Sequence, residues 1–163
     1  MGPYSSHVTT VVRTVTVNPA FLQEIKEVHQ GLWDALAEMR QRCQRPLAVG
    51  MCRHLVNWLE EIRDQLALHF ALEEAYGYFE DPVDAAPHLC QMADNLRAQH
   101  HDLYQSFCEM LDHADQLLFE ERMDELALWL GPAFLTFDRI LRRHEALENE
   151  LIFEAYSDIG GSD

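Results

Sequence analysis

Basic residues are scarce in this chain. Twelve lysines and arginines stand against twenty-eight aspartates and glutamates, giving a formal net charge of −16. That balance opposes binding to nucleic acid phosphates or an anionic membrane surface, and it favours a basic partner or a bound cation. The four cysteines, Cys43, Cys52, Cys90 and Cys108, form no CxxC or other zinc-type spacing. With no signal-like N-terminus either, they read as reduced thiols of a cytoplasmic protein. No apolar run approaches the roughly 20 residues that span a bilayer. Gly2 and Ser6 of "MGPYSS" fit a loose N-myristoylation pattern, but the acidic balance supplies no second membrane signal. A Gly-rich phosphate loop, a nucleophile elbow and a basic aromatic surface are all missing, so neither nucleotide binding nor acyl transfer has a motif to rest on.

What is present is a chain of 163 residues, 48% of them hydrophobic, which suits one globular domain with a substantial core. Residues 1–18 contain the β-branched run "VTTVVRTVTV" and read as an extended N-terminal arm. Such an arm can support a homodimer. Asn18-Pro19 places a capping side chain before a proline in the first helical position and starts a helix running to about Cys43. Pro46 opens a second helix and Asp81-Pro82 closes it. Asp84 and Pro87 introduce a third, reaching about Phe119. The fourth covers 124–156, with Gly131-Pro132 as a break or kink. Residues 19–158 thus form the bundle and 159–163, with Gly160-Gly161, a flexible tail. Short connections between long helices predict an all-α fold, an up-down-up-down antiparallel four-helix bundle.

Two segments repeat one idea: "HFALEE" at 69–74 and "HEALEN" at 144–149 each put a histidine and a glutamate four residues apart, on one face of a helix. Stepping three and four residues along each helix traces its apolar seam. The first runs Leu22, Ile25, His29, Leu32, Leu36, Met39, Cys43, and the second Leu55, Leu59, Ile62, Leu66, His69, Glu73, Tyr76. The third runs Leu89, Ala93, Leu96, His100, Leu103, Phe107, Met110, and the fourth Phe137, Leu141, His144, Glu148, Leu151, Ala155. Each seam is apolar except at one level, which holds His29, His69, Glu73, His100, His144 and Glu148.

A single core histidine needs only a hydrogen bond. Two core glutamates each lose several kcal/mol of hydration unless they are paired, protonated or bound to a cation. Depth brings the six together: at 1.5 Å per residue, His29 and His100 lie about 15–20 Å from the starts of their helices. The two His-Glu pairs lie at a similar depth from the ends of theirs, and an up-down arrangement makes those ends meet. Imidazole with carboxylate suits iron, manganese or zinc, and the lack of a seam thiolate argues against an iron–sulfur cluster or thiolate zinc site. The set reads as a dinuclear site, with His29 and His69 on one metal, His100 and His144 on the other, and Glu73 and Glu148 bridging.

At these residues the chain resembles the hemerythrin-like domains (the hemerythrin HHE cation-binding family) over about residues 20–156. The likeness is carried by "EVHQGLW", "HFALEE", "RAQHHDL" and "HEALENEL" in that order. The resemblance implies a four-helix bundle around two non-haem iron ions with a bridging oxo or hydroxo group, manganese or zinc being substitutes. It implies the same six residues as ligands, with O₂ or another small diatomic or peroxide as the ligand. It favours a binding or sensing domain for O₂, redox state or iron availability over a turnover enzyme. A di-iron oxidase or peroxidase-like enzyme and a metal-free helical interaction module are the alternatives.

The departures also matter. Tyr104 stands where oxygen-carrying hemerythrins have a fifth histidine, and Glu148 follows His144 by four residues rather than five. Four histidines, two bridging carboxylates and one bridging oxygen fill ten of the twelve positions on two octahedral metals. Tyr104 is a candidate to close one opening. His101 adjoins His100 off the seam and becomes a substitute ligand only if the third helix rotates. Glu74 and Glu145 read as solvated surface residues, with a bond to a ligand imidazole as the sharper alternative. His54, His7, His88 and His113 lie away from the layer.

Overall fold

The structure, a computed structural model, describes the backbone of residues 19–75 and 80–157 and the side chains of 27, 29–75 and 81–157. The Asn18 cap, the seam side chains of Leu22, Ile25 and Tyr76, the 1–18 arm and the 159–163 tail lie outside what it describes. Among the described residues every regular element is helical. In order they are α1 (Pro19–Cys43), a 3-10 turn (Val49–Met51), α2 (Cys52–Ala75), α3 (Glu80–Ala85), a second 3-10 turn (Pro87–Leu89), α4 (Cys90–Phe119) and α5 (Met123–Ser157). None of the described helices is long and apolar enough to cross a membrane.

Two expected boundaries move, each for a local reason. Pro46 does not open α2: residues 46–48 stay irregular until the bond from Met51 N–H to the Ala48 carbonyl closes a 3-10 turn from which α2 grows. α2 is described as far as Ala75, and Asp81-Pro82 lies within the described helix α3 (Glu80–Ala85). Gly131-Pro132 does not interrupt α5, which runs through both residues. The carbonyl that Pro132 deprives of its bond belongs to Leu128, an exposed residue. Gly131 serves packing, since a Cβ there would sit 3.3 Å from the Cys43 carbonyl oxygen. Its hydrogen therefore lets α5 approach the end of α1.

The turn between α4 and α5 is closed by two backbone bonds. Arg122 N–H donates to the Leu117 carbonyl and Glu121 N–H to the Leu118 carbonyl, with Glu121 held at φ 59°. This is the Schellman pattern that lets a helix reverse in few residues.

Contacts join α1 to α2, α2 to α4, α4 to α5 and α5 back to α1. Paired contacts run in opposite senses along each sequence. His29 meets His69 while Arg42 lies over Trp58. His100 meets His144 while His113 meets Trp129. Arg40 pairs with Asp138 while Cys43 abuts Gly131. The main apolar core gathers Leu32 to Cys43 of α1, Leu55 to Phe70 of α2, Leu103 to Leu117 of α4 and Leu126 to Leu141 of α5. A second cluster collects Ala86, Leu89, Ala93, Leu96, Leu151 and Ala155. Between them in α4 stands His100, and between them in α5 stand His144 and Glu148.

Candidate metal centre

That interval is a buried polar layer. His69, Glu73, His100, His144 and Glu148 are each at most 3% exposed, and His29 is half-buried. Helical spacing explains the arrangement within each element: one turn separates His69 from Glu73 and His144 from Glu148, so each pair shares a face. Packing then brings the faces together. The donor atoms of His29, His69 and Glu73 lie within 4.8 Å of one another, and so do those of His100, His144 and Glu148. A third such group joins Glu73 and Glu148 to Glu145.

The hydrogen bonds show what the layer lacks. The ring nitrogen Nδ1 of His100 donates to Glu74 Oε1 at 3.0 Å, and Nδ1 of His144 donates to Gln99 Oε1 at 3.0 Å. With Nδ1 as the donor, each neutral ring turns a lone pair at Nε2 inward. There it meets Glu148 Oε1, at 3.1 Å from His100 and 3.0 Å from His144. Lone pair facing carboxylate is repulsive unless a proton or a cation stands between them. Glu73 Oε2, Glu148 Oε2, His29 Nε2 and His144 Nε2 are buried without a hydrogen-bond partner. Among native proteins such orphaned groups are few, and the cost of each is of order 1–3 kcal/mol, more for a charged one.

Without a cation the two central carboxylates settle into opposite states. Burial and the charges of Glu148, Glu145 and Glu74 push the Glu73 carboxyl up to about 10. Burial also pushes against ionisation of Glu148, but when protons stand on the facing Nε2 atoms, hydrogen bonds from His100 and His144 outweigh it and hold that carboxyl below its usual value. One ionised and one protonated group is what two carboxyls in one low-dielectric site adopt. Burial, then the neighbouring His69, lowers the His29 pKa. Nitrogen and oxygen donors without thiolate, with several lone pairs unmet, are a donor set that fits a hard or borderline divalent cation.

Aromatic rings frame the layer. Phe70 stacks on His100 with centroids 4.2 Å apart, and Trp33 meets His69 edge-on at 5.7 Å. Phe70 lies off the seam traced from Leu66 to His69, and its sequence position carries no signal beyond being apolar. Gln99 adjoins His100 but serves His144. Glu74, half exposed, bonds the His100 imidazole at 3.0 Å, the kind of carboxylate contact that can orient a histidine toward a metal. Glu145 departs from its surface reading altogether: it is 18% exposed and its Oε1 lies 2.9 Å from His69 Nε2. Tyr104 lies near Cys108, Arg63 and Asp64. His101 is exposed and lies outside the three donor groups.

Fold and site together define an all-helical protein with a buried histidine–carboxylate cluster able to hold metal. No known protein family, curated protein or solved structure matches the chain. The likeness to hemerythrin-like domains therefore stands on the motif residues alone.

Proposed function

We propose that the protein is a hemerythrin-like non-haem di-iron domain, in which α1, α2, α4 and α5 form an up-down-up-down four-helix bundle. Its function in this reading is to bind or sense O₂, redox state or iron availability. The observation that carries it is the pair of buried carboxylate oxygens, Glu73 Oε2 and Glu148 Oε2, left without hydrogen-bond partners between two pairs of histidines. Two cations would satisfy every one of these groups at once. His29 and His69 would hold one, His100 and His144 the other, and Glu73 and Glu148 would span both.

Iron bound there would supply redox change and an open position for a small ligand. The chain's own residues do the rest. Glu74 and Gln99 fix the tautomers of His100 and His144 so that each Nε2 faces inward. Leu66, Leu103 and Leu141 are buried beside the layer, and with Phe70 they keep bulk water away. A dry site strengthens each metal–ligand attraction.

Elemental analysis of protein purified without chelator, joined to absorption spectra before and after anaerobic reduction, tests the reading. About two irons per chain and a visible band that is lost on reduction and returns with O₂ are expected. Steady O₂ or peroxide consumption with a reductant would instead mark an oxidase or peroxidase. Far less than one metal per chain, even after ferrous iron is offered without oxygen, overturns the proposal.

A further inference from the structure

The two histidine triads leave one neighbour unexplained. Glu145 follows His144 in α5 and points across to α2, where its Oε1 lies 2.9 Å from His69 Nε2. Glu73 Oε1 reaches the same nitrogen at 3.2 Å. One imidazole nitrogen thus has two carboxylate oxygens around it, and it can donate a single proton to one of them. The other nitrogen of that ring, Nδ1, is buried with no partner, so no tautomer of His69 satisfies its surroundings. A donor atom of Glu145 also lies within 4.8 Å of those of Glu73 and Glu148. The carboxylate oxygens left unpartnered in this group, Glu73 Oε2 and Glu148 Oε2, belong to side chains at least 98% buried.

We propose that Glu145 is a seventh metal ligand, completing the ion held by His29 and His69. This inference rests on the di-metal reading above and makes the site unequal. His29, His69, Glu73, Glu148, a bridging solvent oxygen and Glu145 fill six positions on one ion. His100, His144, Glu73, Glu148 and the same bridge fill five on the other. An incoming small ligand is then directed to the ion between α4 and α5. Gln99, which bonds His144, lies in the wall of a cleft of about 320 Å³ on that side, together with Leu103, Phe137 and Ile140. Charge agrees with the assignment. Two divalent ions bring four positive charges; Glu73, Glu148 and a bridging hydroxide balance three of them and a third carboxylate the fourth, which reduces the cost of burying the cluster. An ion held at Nε2 of His69 would leave the ring's one proton on Nδ1, so that the imidazole lone pair and the Glu145 carboxylate both face the metal.

Cobalt(II) binding to wild type, Glu145→Ala and Glu145→Gln, followed by calorimetry in the presence and absence of formate, tests this. Wild type is expected to take two ions tightly. Both variants should keep one tight ion and bind the other more than about 100-fold more weakly, beyond the 10–100-fold loss typical of a residue that only orients a ligand. Cobalt-loaded Glu145→Ala should bind one more formate per chain than wild type does, with recovery of the second ion's affinity. The metal-free variant should bind none, which separates ligation from a hydrogen bond to His69. Glu145→Gln keeps the side-chain volume and shows whether any loss comes from misfolding. Two ions bound as tightly as in wild type, or formate uptake that does not depend on cobalt, overturns the assignment of Glu145. Failure of wild type itself to bind cobalt would instead overturn the di-metal reading and this inference with it.

Discussion

Glu73 is the residue whose state most depends on what the layer holds. Surrounded by Glu148, Glu145 and Glu74 and 2% exposed, it keeps a proton when no cation is near. A glutamine copies that neutral form in shape and hydrogen-bonding capacity. Glu73→Gln is therefore expected to leave the urea stability of the metal-free protein within about 1 kcal/mol of wild type. Metal affinity should fall by more than about 100-fold. A variant as metal-competent as wild type in equilibrium dialysis would remove Glu73 from the site. At this scale the sequence was informative for residues on the seam, because helical period alone puts His69, Glu73, His100, His144 and Glu148 toward the interior. It offered the Glu145–imidazole contact only as an alternative to a solvated position, and it was uninformative for Gln99 and Phe70, because the contacts of residues one position off the seam depend on how far the neighbouring helix is turned.

Helices α1 and α5 are tied by the one buried charge that lies away from the polar layer among the described residues. Asp138 is fully buried and accepts from Arg40 Nε at 2.6 Å and Nη2 at 2.8 Å, with Arg142 Nε at 3.0 Å from one turn along α5. Removing one partner of a buried pair leaves a charge without compensation, at a cost of about 3–5 kcal/mol. Arg142 remains in place, so Arg40→Ala is expected at the lower end, about 3 kcal/mol, read from the urea midpoint. A change below about 0.5 kcal/mol would show that the pair adds nothing to the α1–α5 packing. The helices themselves were legible because long periodic segments have few competing solutions. Their ends were less so. Proline at 46 and 132 reads as a boundary in sequence, whereas α5 runs on through Pro132 and α2 begins only at Cys52. The close approach at Gly131 is a fact about α1 that no local reading of α5 contains.

Across the whole molecule, the polar layer separates the main core from the smaller cluster around Leu89, Leu96 and Leu151. Such a division weakens a fold unless something joins the two sides. Cations would do so by drawing ligands from α1, α2, α4 and α5 together, and a net charge of −16 concentrates cations near the surface before they enter. Bound metal should stabilise the fold by mass action, by about 2.7 kcal/mol at one hundred times the dissociation constant. The layer's existence was readable from period and depth together, since both place the six residues at one height. Its function was not, because the same donors serve sensing, carriage and oxidation. The most direct test is an anaerobic ferrous titration of the wild-type chain beside the double variant His100→Ala/His144→Ala, with free iron measured at each step. A sharp break at two ions per chain in the wild type, lost in the variant, is the predicted result. Uptake absent from the wild type, or equal in both proteins, would contradict a metal centre in this layer.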